Sequence, residues 1–301
     1  MDGDRQTRLL NLPDGRRLAV SVFGDATGRP VFYQHGFPGS RLEAALVAEE
    51  AARLGVRLIA IDRPGYGRSD VAPGRRFADW AADLSAAASE LGIGRFALLG
   101  VSGGALFTLA VAAHLKERVS ALGLVCGLAP VVVPELALAL HLPARLCFGL
   151  MRFCPRLARP FFRSVVSPLL AARPAWTLGL LAPVMPAADR AILRRPDVRE
   201  RLVASIAEAF RRGGDGVVQD LELLAGPLDF SLLSIRVPVM IWHGGDDRTV
   251  PVAHGRWYAA QLPTAVLEEI PGEGHFSLPV RRGGHILEAL RAMMEQADAR
   301  A

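Results

Sequence analysis

Cysteine is scarce in this chain. Only Cys126, Cys147 and Cys154 occur among 301 residues, and no two of them form a CxxC pair. That excludes a disulfide-stapled framework and a cysteine-based zinc site, so no metal is expected and a reducing compartment, the cytoplasm, is. Lysine is scarcer still: Lys116 is the single example, and arginine carries almost all of the basic charge. The formal net charge is only +5. No basic run is interleaved with aromatics, so no nucleic-acid partner is expected. Long apolar runs are also missing; none reaches the roughly twenty residues needed to cross a bilayer, so no membrane insertion is expected. The most apolar stretch, "VVVPELALALHLPARLCFGL", is broken by Pro134, Glu135, His141, Pro143 and Arg145 and reads as a lid or core helix. The opening "MDGDRQTRLL" is too charged for a secretory signal.

What is present is core-forming material, with 51% hydrophobic residues, enough for one large domain plus an insertion. The runs "PVFYQHG", "VRLIAID", "FALLGVS", "VSALGLVCG" and "VPVMIWHGG" are continuously apolar, as strands of a parallel sheet covered on both faces must be. Helical periodicity fills 41–53, 78–91, 103–115, 253–262 and 284–297. Near the start, Pro-Asp-Gly separates two strand-like pieces, an antiparallel hairpin at the sheet edge. The alternation stops near Pro130 and resumes near Arg236. The intervening segment is helical and proline-rich, with thirteen arginines against nine carboxylates. The expected fold is α/β: a mostly parallel eight-stranded sheet with helices on both faces and an inserted helical cap. Its parts would be core residues 1–129, cap residues 130–235, and core residues 236–301.

The chemistry begins at Gly100-Val-Ser102-Gly103-Gly104, a G-x-S-x-G placed where a strand turns into a helix. Small neighbours let helix and strand approach and leave the Ser102 hydroxyl exposed at the tip. A serine needs a base, and the base needs an orienting group. Among the histidines, His114 and His141 read as structural or surface, and His254 and His285, near helix starts, as capping or surface residues. His275, in "IPGEGHFSL" after the final strand-like run, is the candidate base. Asp246 and Asp247 both follow "VPVMIWHGG", and spacing alone leaves open which one orients it. An oxyanion needs two N–H donors. The Gly103 N–H is one; "YQHGFPGS" offers the Phe37 N–H as the other, with His35, Gly36 and Pro38 shaping the loop. Taken singly, each signal has an ordinary structural reading as a turn or a cap. Their order along the chain, each at the end of a strand, makes them a set.

These pieces, "HGFPG", "DRPGYGRSD", "GVSGGA", "HGGDDRTVP" and "GEGHFSL", resemble those of the α/β-hydrolase superfamily over nearly the whole chain. The resemblance implies Asp247 as the acid, three residues before the valine of the pattern, and His275 as the base. It also implies that "DRPGYGRSD", with Asp62 and Ser69, is a structural turn. Dehalogenases and epoxide hydrolases carry aspartate where Ser102 stands. Epoxide hydrolases also use cap tyrosines, whereas Tyr33, Tyr66 and Tyr258 all lie outside the cap. The branch expected is a serine esterase cleaving an ester or thioester of an apolar small molecule, without a cofactor. Alternatives on the same fold are an aminopeptidase of proline-iminopeptidase type, a lyase or acyltransferase, and a small-molecule binder; a homo-oligomer is left open. Cap residues Phe148, Phe153, Phe161, Phe162, Trp176 and Phe210 are the aromatic candidates to line the substrate chamber. The cap arginines read as surface charge, or as an attraction for an acidic substrate.

Overall fold

The computed structural model describes residues 7–299; residues 1–6, most of the charged opening, and residues 300–301 lie outside them. Eight strands form one sheet: β1 (Arg8–Asn11), β2 (Arg17–Gly24), β3 (Arg29–Gln34), β4 (Val56–Ile61), β5 (Phe96–Val101), β6 (Val119–Val125), β7 (Val239–Gly244) and β8 (Ala265–Ile270). Their spatial order is β1-β2-β4-β3-β5-β6-β7-β8. The β1–β2 hairpin and the β2–β4 pair are antiparallel, and every other pair is parallel. Every residue of β5 and β6 is buried, which is why both read as unbroken apolar runs. The outermost strand β8 carries Glu268 and Glu269, charges that discourage edge-to-edge pairing.

The first helices are α1 (Ala48–Arg53), α2 (Phe77–Glu90) and α3 (Gly104–His114). The helix expected over 41–53 is a 3₁₀ segment over Arg41–Val47 that continues into α1. Arg41 and Glu43 both turn inward, to Asp62 and to Gly36.

Between β6 and β7 come eight helices and no strand: α4 (Pro134–Ala139), α5 (Leu142–Phe153), α6 (Pro155–Phe161), α7 (Ser167–Ala172), α8 (Ala175–Leu181), α9 (Ala187–Leu193), α10 (Pro196–Ala209) and α11 (Asp215–Ala225). The chain then returns to the sheet with α12 (Ala253–Gln261), α13 (Ser277–Arg281) and α14 (Gly283–Asp298). Trp80, Phe107 and Tyr258 bury α2, α3 and α12 against one face of the sheet. Ala51, Ile286 and Leu290 bury α1 and α14 against the other.

Buried charges tie the insertion to the sheet. Asp220 of α11 accepts from Arg63 Nε at 2.7 Å and pairs with Arg75. Glu208 of α10 accepts from Arg41 Nη1 at 2.7 Å, and Arg41 also pairs with Asp62. Removing one partner from such a pair would strand a desolvated charge, a loss of about 3–5 kcal/mol. Within the "DRPGYGRSD" segment, Ser69 Oγ donates to the Asp62 carbonyl at 2.6 Å and accepts from the Ala19 N–H at 2.9 Å.

Candidate active site

Ser102 stands at the tip of the β5–α3 turn with φ of +53°, a left-handed conformation that L-residues seldom adopt. Three hydrogen bonds pin it there. Its N–H donates to the Val125 carbonyl at 2.9 Å, and its carbonyl accepts from Ala105 and Leu128 at 3.1 and 3.0 Å. The flanking glycines are required by contact. A Cβ on Gly104 would fall 2.2 Å from the Gln34 carbonyl oxygen, and one on Gly100 would fall 2.2 Å from Thr108 Oγ1.

The structure brings the three separated residues into one chain of hydrogen bonds. The Ser102 hydroxyl lies 3.0 Å from His275 Nε2, and His275 Nδ1 lies 2.7 Å from Asp247 Oδ2. The other Asp247 oxygen accepts from the Thr249 and Val250 N–H groups at 2.9 and 2.8 Å. Of the two acids that spacing left open, Asp247 is buried against His275 while Asp246 is exposed. Burial alone would favour neutral His275, yet the Asp247 charge and hydrogen bond outweigh it and hold the imidazole above its ordinary pKa. Burial likewise opposes the Asp247 charge, and the His275 partnership overcomes it, leaving the carboxyl below its ordinary range. Imidazole and carboxylate stabilise each other's charged forms.

The Phe37 loop is oriented by its own carbonyls. The Gly36 carbonyl accepts from His35 Nδ1 at 3.0 Å and Arg63 Nη2 at 3.2 Å. Burial, then the neighbouring Arg63 charge, push His35 far below the usual histidine pKa and keep it neutral. In a trans peptide the N–H points opposite to the C=O, so fixing the Gly36 oxygen also fixes the direction of the Phe37 N–H. A Cβ placed on Gly103 would sit 3.6 Å from that Phe37 nitrogen, so the two amides are neighbours. Neither the Phe37 nor the Gly103 N–H donates to a protein acceptor among the described residues. The Phe37–Pro38 peptide is cis.

Two residues of the site carried no sequence signal. Asp189, from α9 of the insertion, is fully buried. Its Oδ2 accepts from the His275 N–H at 2.9 Å, and its Oδ1 accepts from Phe276 and Ser277 at 2.9 and 2.8 Å. Glu43 lines the serine's chamber, accepting from the Tyr33 hydroxyl at 2.8 Å and the Gly36 N–H at 3.1 Å. Burial raises its pKa, against those hydrogen bonds.

The chamber over Ser102 has a cavity volume of about 110 Å³, small beside the roughly 300–1,000 Å³ of drug-sized sites. The insertion supplies Thr177, Leu178, Leu181, Leu202, Ser205 and Ile206. None of the six expected aromatics lines it, and this corrects the sequence reading. Phe162 and Phe210 are buried in apolar clusters, the second shared with Tyr66 of the sheet part, and Phe148 is half-buried against the cluster of Phe162. Phe153, Phe161 and Trp176 point to solvent. Among the described residues no arginine lines the chamber either. His254, expected to cap or lie on the surface, is wholly buried; its Nδ1 accepts from the Ala129 N–H at 3.1 Å. Burial drops its pKa to about 4.

Behind the acid, Cys126, His243 and Asp247 place three potential metal-binding atoms within 4.8 Å of one another. The nitrogen His243 turns toward Asp247 already donates to the Val250 carbonyl at 2.8 Å, and His275 occupies one Asp247 oxygen. The donor set fits packing around the acid better than coordination.

The model of the alpha/beta hydrolase fold family matches residues 29–281. A non-heme haloperoxidase of Rhodococcus erythropolis is 28% identical over 270 residues, 87% of this chain and 90% of that protein. A pimeloyl-[acyl-carrier protein] methyl ester esterase of Chromobacterium violaceum is 30% identical over 288 residues, 94% of this chain and 99% of the relative. Among solved structures, a thermophilic esterase from Thermogutta terrifontis superposes with a TM-score of 0.69, covering 97% of this chain and 99% of that one at 24% identity. Family model, relatives and sheet order agree: this chain belongs to the alpha/beta hydrolase fold family.

Proposed function

We propose that this chain is a serine hydrolase that cleaves small apolar esters or thioesters through an acyl-enzyme. The observation that carries the reading is the 3.0 Å and 2.7 Å relay from Ser102 through His275 to Asp247, set beside two N–H groups with no protein partner. Ser102 Oγ attacks the carbonyl while His275 Nε2 takes its proton. Asp247 holds the imidazole tautomer and stabilises the imidazolium. The tetrahedral oxyanion rests on the Phe37 and Gly103 N–H groups, each donor contributing about 3 kcal/mol. His275 then protonates the departing alcohol or thiol, activates a water, and the acyl group leaves as the acid.

The helical insertion acts as the cap, residues 130–235, and its leucines and isoleucine select apolar substrates. An ester relative of nearly equal length supports ester cleavage. Among the described residues the insertion offers the chamber no carboxylate, and Glu43, the one lining carboxylate there, already accepts from Tyr33 and the Gly36 N–H, which argues against recognition of a substrate ammonium by an aminopeptidase. The absence of lining arginines among the described residues argues against an acidic substrate. Three free cysteines accord with a cytoplasmic setting.

The test is covalent labelling with a fluorophosphonate, mapped by peptide mass, alongside turnover of p-nitrophenyl esters of graded acyl length. Label on Ser102, and at least a roughly thousandfold rate loss in Ser102→Ala, is the expected outcome. Folded protein that takes no label would favour a binder. Transfer to an added alcohol in preference to water would favour an acyltransferase.

A further inference from the structure

The insertion leaves much apolar surface in solvent. Of the fifteen large apolar side chains exposed among the described residues, eleven lie between positions 138 and 180. Helix α5 shows why this is unusual. Its Cys147, Phe148 and Met151 pack inward with the α11 residues Val218 and Leu221, so its opposite face should be polar. That face instead carries Leu142, Leu146, Leu150 and Phe153, at i, i+4, i+8 and i+11; three of them are 62%, 63% and 76% exposed, Leu150 less so. Leu157 on α6 is 70% exposed, and Trp176 and Leu180 on α8 are also exposed. A helix apolar on both sides calls for a second cover.

The charge pattern says what kind. From residue 136 to residue 188 there are six arginines and not one aspartate or glutamate. Arg159 and Arg163 pair with Glu222 and Asp215 of α11. Arg145, Arg152, Arg156 and Arg173 pair with no carboxylate among the described residues, and Arg173 stacks on Trp176 at 4.4 Å. A two-fold contact between copies would set these arginines against their equals with no acid between them. Apolar side chains interspersed with arginine match a different occupant, the headgroup boundary of a bilayer with negative lipids.

We propose that the outward face of α5 and α6 docks on an anionic lipid bilayer, lying in the interface without spanning it. No helix is long and apolar enough to cross a membrane among the described residues.

The experiment is co-sedimentation of the full chain with vesicles of phosphatidylcholine alone, or with about one-third phosphatidylglycerol, at rising salt. Binding to the anionic vesicles, at least about tenfold stronger than to neutral ones and falling as salt screens it, is expected. Ser102→Ala protein should bind equally, so the result is independent of the proposed chemistry. The double variants Leu146→Gln/Phe153→Gln and Arg145→Gln/Arg156→Gln should each weaken binding by about tenfold or more, with circular dichroism and melting temperature unchanged. Protein left in the supernatant with both vesicles overturns the proposal, as does equal binding to both. A lipid-free dimer abolished by Leu146→Gln would overturn it too, by giving the face to a second copy.

Discussion

Replacing Asp189 by alanine tests how the candidate base is held. The substitution removes the acceptor for three consecutive N–H groups, those of His275, Phe276 and Ser277, all within 2.9 Å. Hydrogen bonds to a charged acceptor contribute about 1.5–3 kcal/mol each. Their simple sum overstates the loss, since water can enter the vacated space, so about 3–5 kcal/mol is expected. For a chain of this length that corresponds to a fall of roughly 5–8 °C in melting temperature. Activity should suffer separately. A displacement of the imidazole by about 1 Å costs on the order of a hundredfold in rate, so kcat/KM for a p-nitrophenyl ester should fall by about that much. The third readout distinguishes electrostatics from scaffolding. Asp189 is among the negative charges that favour the protonated imidazole, so its loss should move the acid limb of the pH–rate profile to lower pH. Asp189→Asn, which keeps one acceptor oxygen, should lie between wild type and alanine. Melting within about 1 °C of wild type, kcat/KM within about twofold and an unmoved limb would together refute the reasoning.

Other expectations follow from the same geometry. Because the base must be neutral and Asp247 raises the His275 pKa, kcat/KM should climb with pH through an apparent pKa above the ordinary 6.5. Asp247→Asn should lower kcat by about ten-thousandfold and shift that limb downward, as a steady-state pH series would show. Glu43→Ala strands the Gly36 N–H and the Tyr33 hydroxyl, and should lower kcat roughly tenfold to a hundredfold with little change in KM. Glu43→Gln, which still offers an acceptor, should recover most of it. With about 110 Å³ of chamber, turnover should favour short acyl chains, and Leu178→Ala should shift the preference to longer ones in the graded ester series.

What the sequence disclosed depended on how local the cause was. β5 and β6 were readable because burial on both faces writes an uninterrupted apolar run. The Ser102 turn was readable because its steric demands fall on immediate neighbours. The distinction between Asp246 and Asp247 was not carried by spacing; it came from a family pattern, and the structure supplies the reason in the burial of one and the exposure of the other. Asp189 and Glu43 were invisible for a different cause. An acid on a helix looks like any solvated acid until the fold carries it to amides 86 residues away, as for Asp189 and His275. The chamber lining failed similarly. Aromatic side chains drew attention by size, but size does not say which way a helix is rotated, and leucines of α8 and α10 took the inner positions.

The carboxylate that steadies the histidine loop belongs to the insertion, while the histidine belongs to the sheet domain. These two parts are therefore not interchangeable cassettes. Grafting the helices of a relative onto this sheet, to borrow its selectivity, would also discard the support beneath the base unless an equivalent acid came with the graft. In this chain, a change in those helices and a change in the setting of His275 are coupled through Asp189.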